Sequence, residues 1–327
     1  LTNPENGSRS PFTHEYIAAS NRERFLSIAD ALGIALSLLN LETDDMTHWH
    51  ARLIACGAIV LAATAFGMEI DGPKPTRKVV YKQIGDVTLE LDVFDPEGLQ
   101  PNDKRPAIIF FFGGGWNSGS PTQFSRHAAH FAKRGMVAIC ADYRVKSRHG
   151  VTPFECVRDA KSAVRWVRAH AAELGVDPDR IVASGGSAGG HLAACAGVID
   201  GLDEEREDTA ISSRPNALIL FNPVIDTGIR GYGNKVLAER ARTISPVEHV
   251  TKDVPPTIIF HGDADTTTPI EGVRRFRDRM KTLDRRCDLV EFSGEKHGFF
   301  NRGKAFEQTL EQADAFLVSL GYLDAPK

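Results

Sequence analysis

Ser187 stands in the stretch IVASGGSAGGHLAAC, where a β-branched run ends in glycines and an alanine-rich segment begins. A serine hydroxyl is a poor nucleophile at neutral pH. Chemistry here therefore requires a base to take its proton, a carboxylate to orient that base, and donors for the oxyanion that forms on an attacked carbonyl. Gly185 and Gly189 flank the serine in the spacing G-x-S-x-G, which leaves room for a sharp strand-to-helix turn that lifts the hydroxyl clear of a sheet. A plain glycine-rich turn has the same spacing, so the nucleophile reading depends on finding the partners.

The base is expected on a loop after a later strand, and FSGEKHGFF places His297 between the last strand and the terminal helix. His191 lies one turn along the serine's own helix, cannot reach back, and reads as a packing or capping residue. His127 and His130 share another helix and read as solvated surface; their i, i+3 spacing without a third ligand is weak support for a metal. Two aspartates, Asp263 and Asp265, sit on the loop of IIFHGDADTTTPI. Asp265 is the preferred orienting carboxylate, because it is further out and precedes the turn-forming TTTP, while Asp263 is expected to tie the loop down through backbone hydrogen bonds. In FFFGGGWNSGS a buried strand runs into three glycines, whose N–H groups no side chain shields. Gly114 and Gly115, with the N–H of Ala188, are the expected oxyanion donors, with Gly113 as a substitute. The bulky Trp116 that follows argues for a fixed loop.

These residues need a frame, and the pattern from Val79 onward supplies one. VVYKQI and VTLELDVF, separated by Gly85-Asp86, read as a hairpin. Then PAIIFFF, MVAICAD, RIVASG, ALILFN, PTIIFH and CDLVEF alternate with helical stretches near 124–134, 154–173, from Ser187, near 270–282 and near 304–320. Continuous apolar runs separated by helices predict strands buried on both faces: a mostly parallel, doubly wound sheet of about eight strands flanked by helices. Ligands in such sheets bind beyond the carboxyl ends of the strands, where Ser187, Asp265 and His297 all fall.

The whole chain narrows the partners. A net charge of −4 over 327 residues, with Lys and Arg spread along the chain, does not suit a phosphate backbone, so nucleic acid is not expected. Five cysteines without paired spacing suggest neither a disulfide framework nor a zinc ribbon. MTHWHARLIACGAIVLAATAFG has His48, His50 and Arg52, then an apolar stretch, then Ala63 and Ala65, the grammar of a secretory signal. Residues 46–65 are read as that signal, residues 1–45 as an upstream extension with a candidate cap helix, and 66–327 as one catalytic domain. Export to a periplasm or the medium follows, with no stable membrane insertion after processing; a core helix at 46–65 would instead leave the protein cytoplasmic.

From about Val79 to Leu320 the chain resembles the α/β-hydrolase esterase/lipase superfamily, including hormone-sensitive-lipase-like esterases and bacterial acetyl and feruloyl esterases acting on plant polysaccharides. The likeness rests on FFGGGW, DYR at Asp142 to Arg144, GGSAGGHLA, HGDADTTTP and GEKHGFF, in the family's order. It implies an α/β-hydrolase fold and a serine esterase with the triad Ser187, Asp265 and His297, needing no cofactor or metal. Two departures stand out. Phe112 occupies the place of the histidine that usually opens the glycine motif, which removes a polar anchor from the loop. The DPL common around the acid is replaced by DTTTP, as in the carbohydrate-esterase branch, whose acid lies four residues before proline; this also favours Asp265. The insertion DTGIRGYGNKVLAERARTISP is too short and polar for a large lipase lid, so short acyl groups are expected over long-chain triglyceride. Trp116, Phe299 and Phe300 are expected either to flank the cleft or to pack the loops, and RRFRDRM near Arg274 to be a solvated helix face. A serine peptidase and a non-catalytic binding protein on the same scaffold are the alternatives.

Overall fold

Alternation within single strands builds both faces of this protein. In the computed structural model, which describes residues 72–325, Ile109 and Phe111 of β3 (Arg105–Phe111) enter one apolar cluster while Ile108 and Phe110 enter the other. Successive strand side chains point to opposite faces, so a continuously apolar strand must be covered twice. Helices α1 (Ser125–Lys133) and α5 (Gly303–Ser319) cover one face with Ala128, Phe131, Phe306, Leu310 and Phe316. On the other lie α2 (Pro153–Ala169), α3 (Ala188–Val198) and α4 (Ile270–Thr282), with Val157, Val164, Leu192, Val273 and Phe276. Each such large side chain, fully buried, contributes about 1.5–3 kcal/mol.

The strands are β1 (Arg77–Ile84), β2 (Val87–Phe94), β3, β4 (Val137–Ala141), β5 (Val176–Gly186), β6 (Ala217–Phe221), β7 (Thr257–Gly262) and β8 (Cys287–Phe292). They form one sheet in the order β1-β2-β4-β3-β5-β6-β7-β8. The opening hairpin pairs antiparallel and joins antiparallel to β4; every later pairing is parallel. The expected mostly parallel, doubly wound sheet of eight strands is therefore the fold. The candidate cap helix and signal segment lie outside the described residues.

Two expectations require correction. The helix near 154–173 begins cleanly, with Pro153 in its first turn and a Thr152/Glu155 capping box, but ends at Ala169. His170 leaves helical geometry and stacks on Trp166, and a separate turn follows over Ala171–Leu174, closed by Gly175 in the left-handed region. His127 is not solvated surface: it is 1% exposed, its ring set among Phe110, Phe124, Phe221, Phe300 and Phe306. It shares the inward face of α1 with Ala128 and Phe131, and that face, rather than its polarity, decides its placement. Burial pushes its imidazole down to about 3, and neither ring nitrogen has a partner among the described residues. His130 is half-buried, with Nε2 3.0 Å from Asp314 Oδ1.

Candidate active site

Strand β5 runs into Gly186, and the chain reverses at Ser187 with φ +56° and ψ −120° before α3 begins at Ala188. A positive φ is strained for serine, and the surrounding structure must hold it there. Two glycines make that reversal fit. A Cβ at Gly185 would lie 2.5 Å from the Phe111 carbonyl oxygen, and one at Gly189 only 2.0 Å from it and 2.4 Å from that of Phe112. The turn is thus pressed against the end of β3, and the serine backbone is held by Ser187 N–H donating to Phe221 O at 2.9 Å.

The loops after β7 and β8 bring the other two residues to this hydroxyl. His297 Nε2 is 2.9 Å from Ser187 Oγ, and His297 Nδ1 is 2.7 Å from Asp265 Oδ2. A carboxylate only accepts, so the proton sits on Nδ1 and Nε2 is free to accept from the serine hydroxyl. Burial alone would raise the Asp265 carboxyl. Its bonds from His297, the Thr268 N–H and the Thr268 hydroxyl outweigh that and hold it at about 2. Asp263 instead accepts from Gly294 N–H at 2.6 Å, which ties the two loops together and leaves it out of the chain of contacts.

Of the glycine loop, Gly113 sits against Ser187: a Cβ there would be 3.3 Å from Ser187 Cβ. Its N–H, however, donates to Gln123 Oε1 at 2.6 Å, so its expected role as a substitute donor is already taken by the protein. The N–H groups of Gly114 and Gly115 have no acceptor among the described residues, and Ala188 opens α3 directly after the serine. Both glycines have positive φ, at +121° and +62°; a Cβ at Gly114 would meet Ser118 O at 2.1 Å and one at Gly115 the Tyr232 hydroxyl at 2.6 Å. Phe112, where a histidine was expected, is buried and stacks on Tyr143 with ring centroids 4.1 Å apart.

Several side chains have roles that sequence reasoning left open or missed. Trp116, Phe299 and Phe300 are 3%, 7% and 1% exposed: they pack the loops and are not cleft walls. His191 is buried, as a packing residue, with Nε2 2.6 Å from Ile244 O and its ring against Trp116; burial lowers its imidazole to about 4. Asn222 and Thr268, both buried, bond to Asp265 and were not foreseen. Their only signals were an asparagine closing ALILFN and a threonine inside DTTTP. His261, also buried, has Nε2 2.8 Å from the Thr268 carbonyl oxygen. Beside these loops lies a cavity of about 330 Å³, lined in part by Asp226, Arg230, Tyr232, Thr268, Glu271 and Arg275. The segment between β6 and β7 holds only short helical turns, such as Asn234–Leu237 and Ala238–Ile244. Among the described residues no helix is long and apolar enough to cross a membrane.

A serine on a strained strand-to-helix turn, an imidazole and a buried carboxylate on successive loops, and a sheet of this order define an α/β-hydrolase. A family model described as BD-FAE matches residues 91–233. Solved structures of Thermogutta terrifontis esterase 2 are similar. That of the enzyme phosphoramylated by tabun is 53% identical with a TM-score of 0.74, covering 77% of this chain and 96% of that one. The butyrate-bound form is 50% identical with a TM-score of 0.74, covering 80% and 99%. The Arabidopsis thaliana protein named "Probable isoprenylcysteine alpha-carbonyl methylesterase ICMEL1" is 27% identical over 280 residues, 76% of this chain and 57% of that protein. The chain spans less than two thirds of the length of the first curated relatives it matches. It belongs to the α/β-hydrolase esterase/lipase family.

Proposed function

We propose that this protein is a serine carboxylic ester hydrolase acting on short-chain acyl esters through Ser187, His297 and Asp265. The observation that carries the reading is the unbroken line of contacts from Ser187 Oγ to His297 at 2.9 Å and on to Asp265 at 2.7 Å. Ser187 attacks the ester carbonyl while His297 takes its proton at Nε2; Asp265 holds the imidazole tautomer and stabilises the imidazolium. The N–H groups of Gly114, Gly115 and Ala188 receive the oxyanion. His297 then protonates the departing alkoxide, and water attacks the acyl-enzyme by the same proton path. Covalent modification of the similar Thermogutta esterase by tabun supports an activated nucleophile on this scaffold.

The short segment between β6 and β7 supports short acyl groups, as does the butyrate of the similar structure. The charged side chains Asp226, Arg230, Glu271 and Arg275 within the mixed lining of the neighbouring cavity support a polar alcohol, with acetylated saccharide fragments the leading class. Export through the segment at 46–65 belongs to the same proposal.

The test is hydrolysis of nitrophenyl acetate, butyrate and decanoate by the protein and its Ser187→Ala variant, with fluorophosphonate labelling alongside. Rates falling from acetate to decanoate, loss of about 10³-fold or more in the variant, and labelling only of the parent are expected. Undiminished hydrolysis by the folded variant would overturn the assignment.

A further inference from the structure

The end of β6 carries a residue that touches both partner loops. Asn222 is fully buried and has φ +39°, a conformation asparagine tolerates better than most residues but still adopts at a cost. Its N–H donates to Phe260 O at 2.9 Å, anchoring it to β7. Its side-chain Nδ2 donates to Asp265 Oδ2 at 2.8 Å, the same oxygen that faces His297. Its Oδ1 accepts from the N–H of Gly298, the residue after His297, at 3.3 Å.

We infer that Asn222 is a positioning residue for the reaction, its single amide fixing the acid loop and the base loop at once; this rests on the triad reading above. Only a group with a donor and an acceptor on one rigid plane satisfies both contacts. An aspartate of the same shape keeps the acceptor but sets a second carboxylate against Asp265; an apolar residue leaves a buried carboxylate oxygen and a backbone N–H without these partners. The ionisable groups facing Asp265 are His297, from the loop after β8, and His261, whose Nε2 on β7 is 3.7 Å from Asp265 Oδ2.

The experiment compares Asn222→Ala and Asn222→Asp with the parent and with Ser187→Ala, reading kcat, KM, the pH profile of kcat/KM and thermal unfolding. Asn222→Ala should lose about 10- to 100-fold in kcat with KM within about threefold, the scale of a hydrogen bond to a charged group. In Asn222→Asp the two buried carboxylates share a proton; once it is lost as pH rises the donor to Asp265 is gone, so kcat/KM should fall on the alkaline side, where the parent holds its rate. If Asn222→Ala does not fold, the isosteric Asn222→Asp decides by its pH profile. A kcat/KM in Asn222→Asp that stays parental up to about pH 10, or parental kcat in a folded Asn222→Ala, overturns the inference. Were Ser187→Ala to remain active, the triad reading itself would fall, a result separable from either.

Discussion

The Tyr143 hydroxyl donates to the carbonyl oxygen of Phe112 at 2.7 Å while the two rings stack at 4.1 Å. Tyr143 thus holds the first residue of the glycine loop by both its polar end and its face. Together with Gln123, which accepts from Gly113, it fixes a loop that lacks the family's histidine. Tyr143→Phe should keep the stack and lose the bond, leaving a buried carbonyl without this donor. A loss of about 1–3 kcal/mol in unfolding free energy is expected, with kcat falling more than KM. Denaturant melts and steady-state kinetics check it.

Glycines at the turn and in the loop differ in what a methyl group would strike. Gly189→Ala drives a Cβ into two backbone carbonyls at the end of the sheet, which cannot yield, so no folded active enzyme is expected. Gly115→Ala meets instead the far end of Tyr232. That variant should fold but lose about 10²-fold in kcat as an oxyanion donor shifts. Combining it with Tyr232→Phe should restore part of the rate; no recovery would show that the strain at φ +62°, and not the hydroxyl, is the obstacle.

The two aspartates of HGDAD predict opposite kinetic outcomes. Asp265→Asn removes the acceptor that fixes the His297 tautomer and should reduce kcat by about 10⁴-fold. Asp263→Asn weakens one tie to Gly294 and should leave kcat within about threefold, with a cost of about 1 kcal/mol in stability. Comparable losses in both would refute the assignment of the acid. Because Asp265 is held at about 2, it stays ionised down to about pH 3, so an acid limb of activity above that pH should not report its protonation.

Acid stability should be governed in part by His127 and His191, which burial lowers to about 3 and about 4. Both are neutral in the folded protein, whereas the unfolded chain takes up their protons below about pH 6.5. Their contribution is therefore constant above that pH and falls as pH drops toward 4, by about 1.4 kcal/mol per pH unit for each group. His127→Phe should make this decline shallower in unfolding free energies measured between about pH 7 and 4.5, with His191, His149 and His261 keeping their share. An unchanged pH dependence would mean that His127 is not the group being charged.

The alternation of apolar strands with helices, the strand-to-helix serine and the histidine before the last helix were all legible in the sequence. Each is a local pattern: strand burial, turn sterics and chain order are set by neighbouring residues. The sequence determined in this way the sheet, the strand-to-helix turn at Ser187 and the chain order of Ser187, Asp265 and His297. Tertiary structure alone decided which groups meet. Asn222 reaches Asp265 and Gly298 across 43 and 76 residues because β6, β7 and β8 end side by side. His127 is polar by type, yet the helix face it shares with Ala128 and Phe131 carries it into an aromatic core. The engaged Gly113 and the packed Trp116 likewise depend on what lies opposite them, Gln123 in one case and His191 in the other. Covalent neighbours fix backbone conformation; hydrogen-bond partners and burial are properties of surfaces brought together only when the sheet has formed.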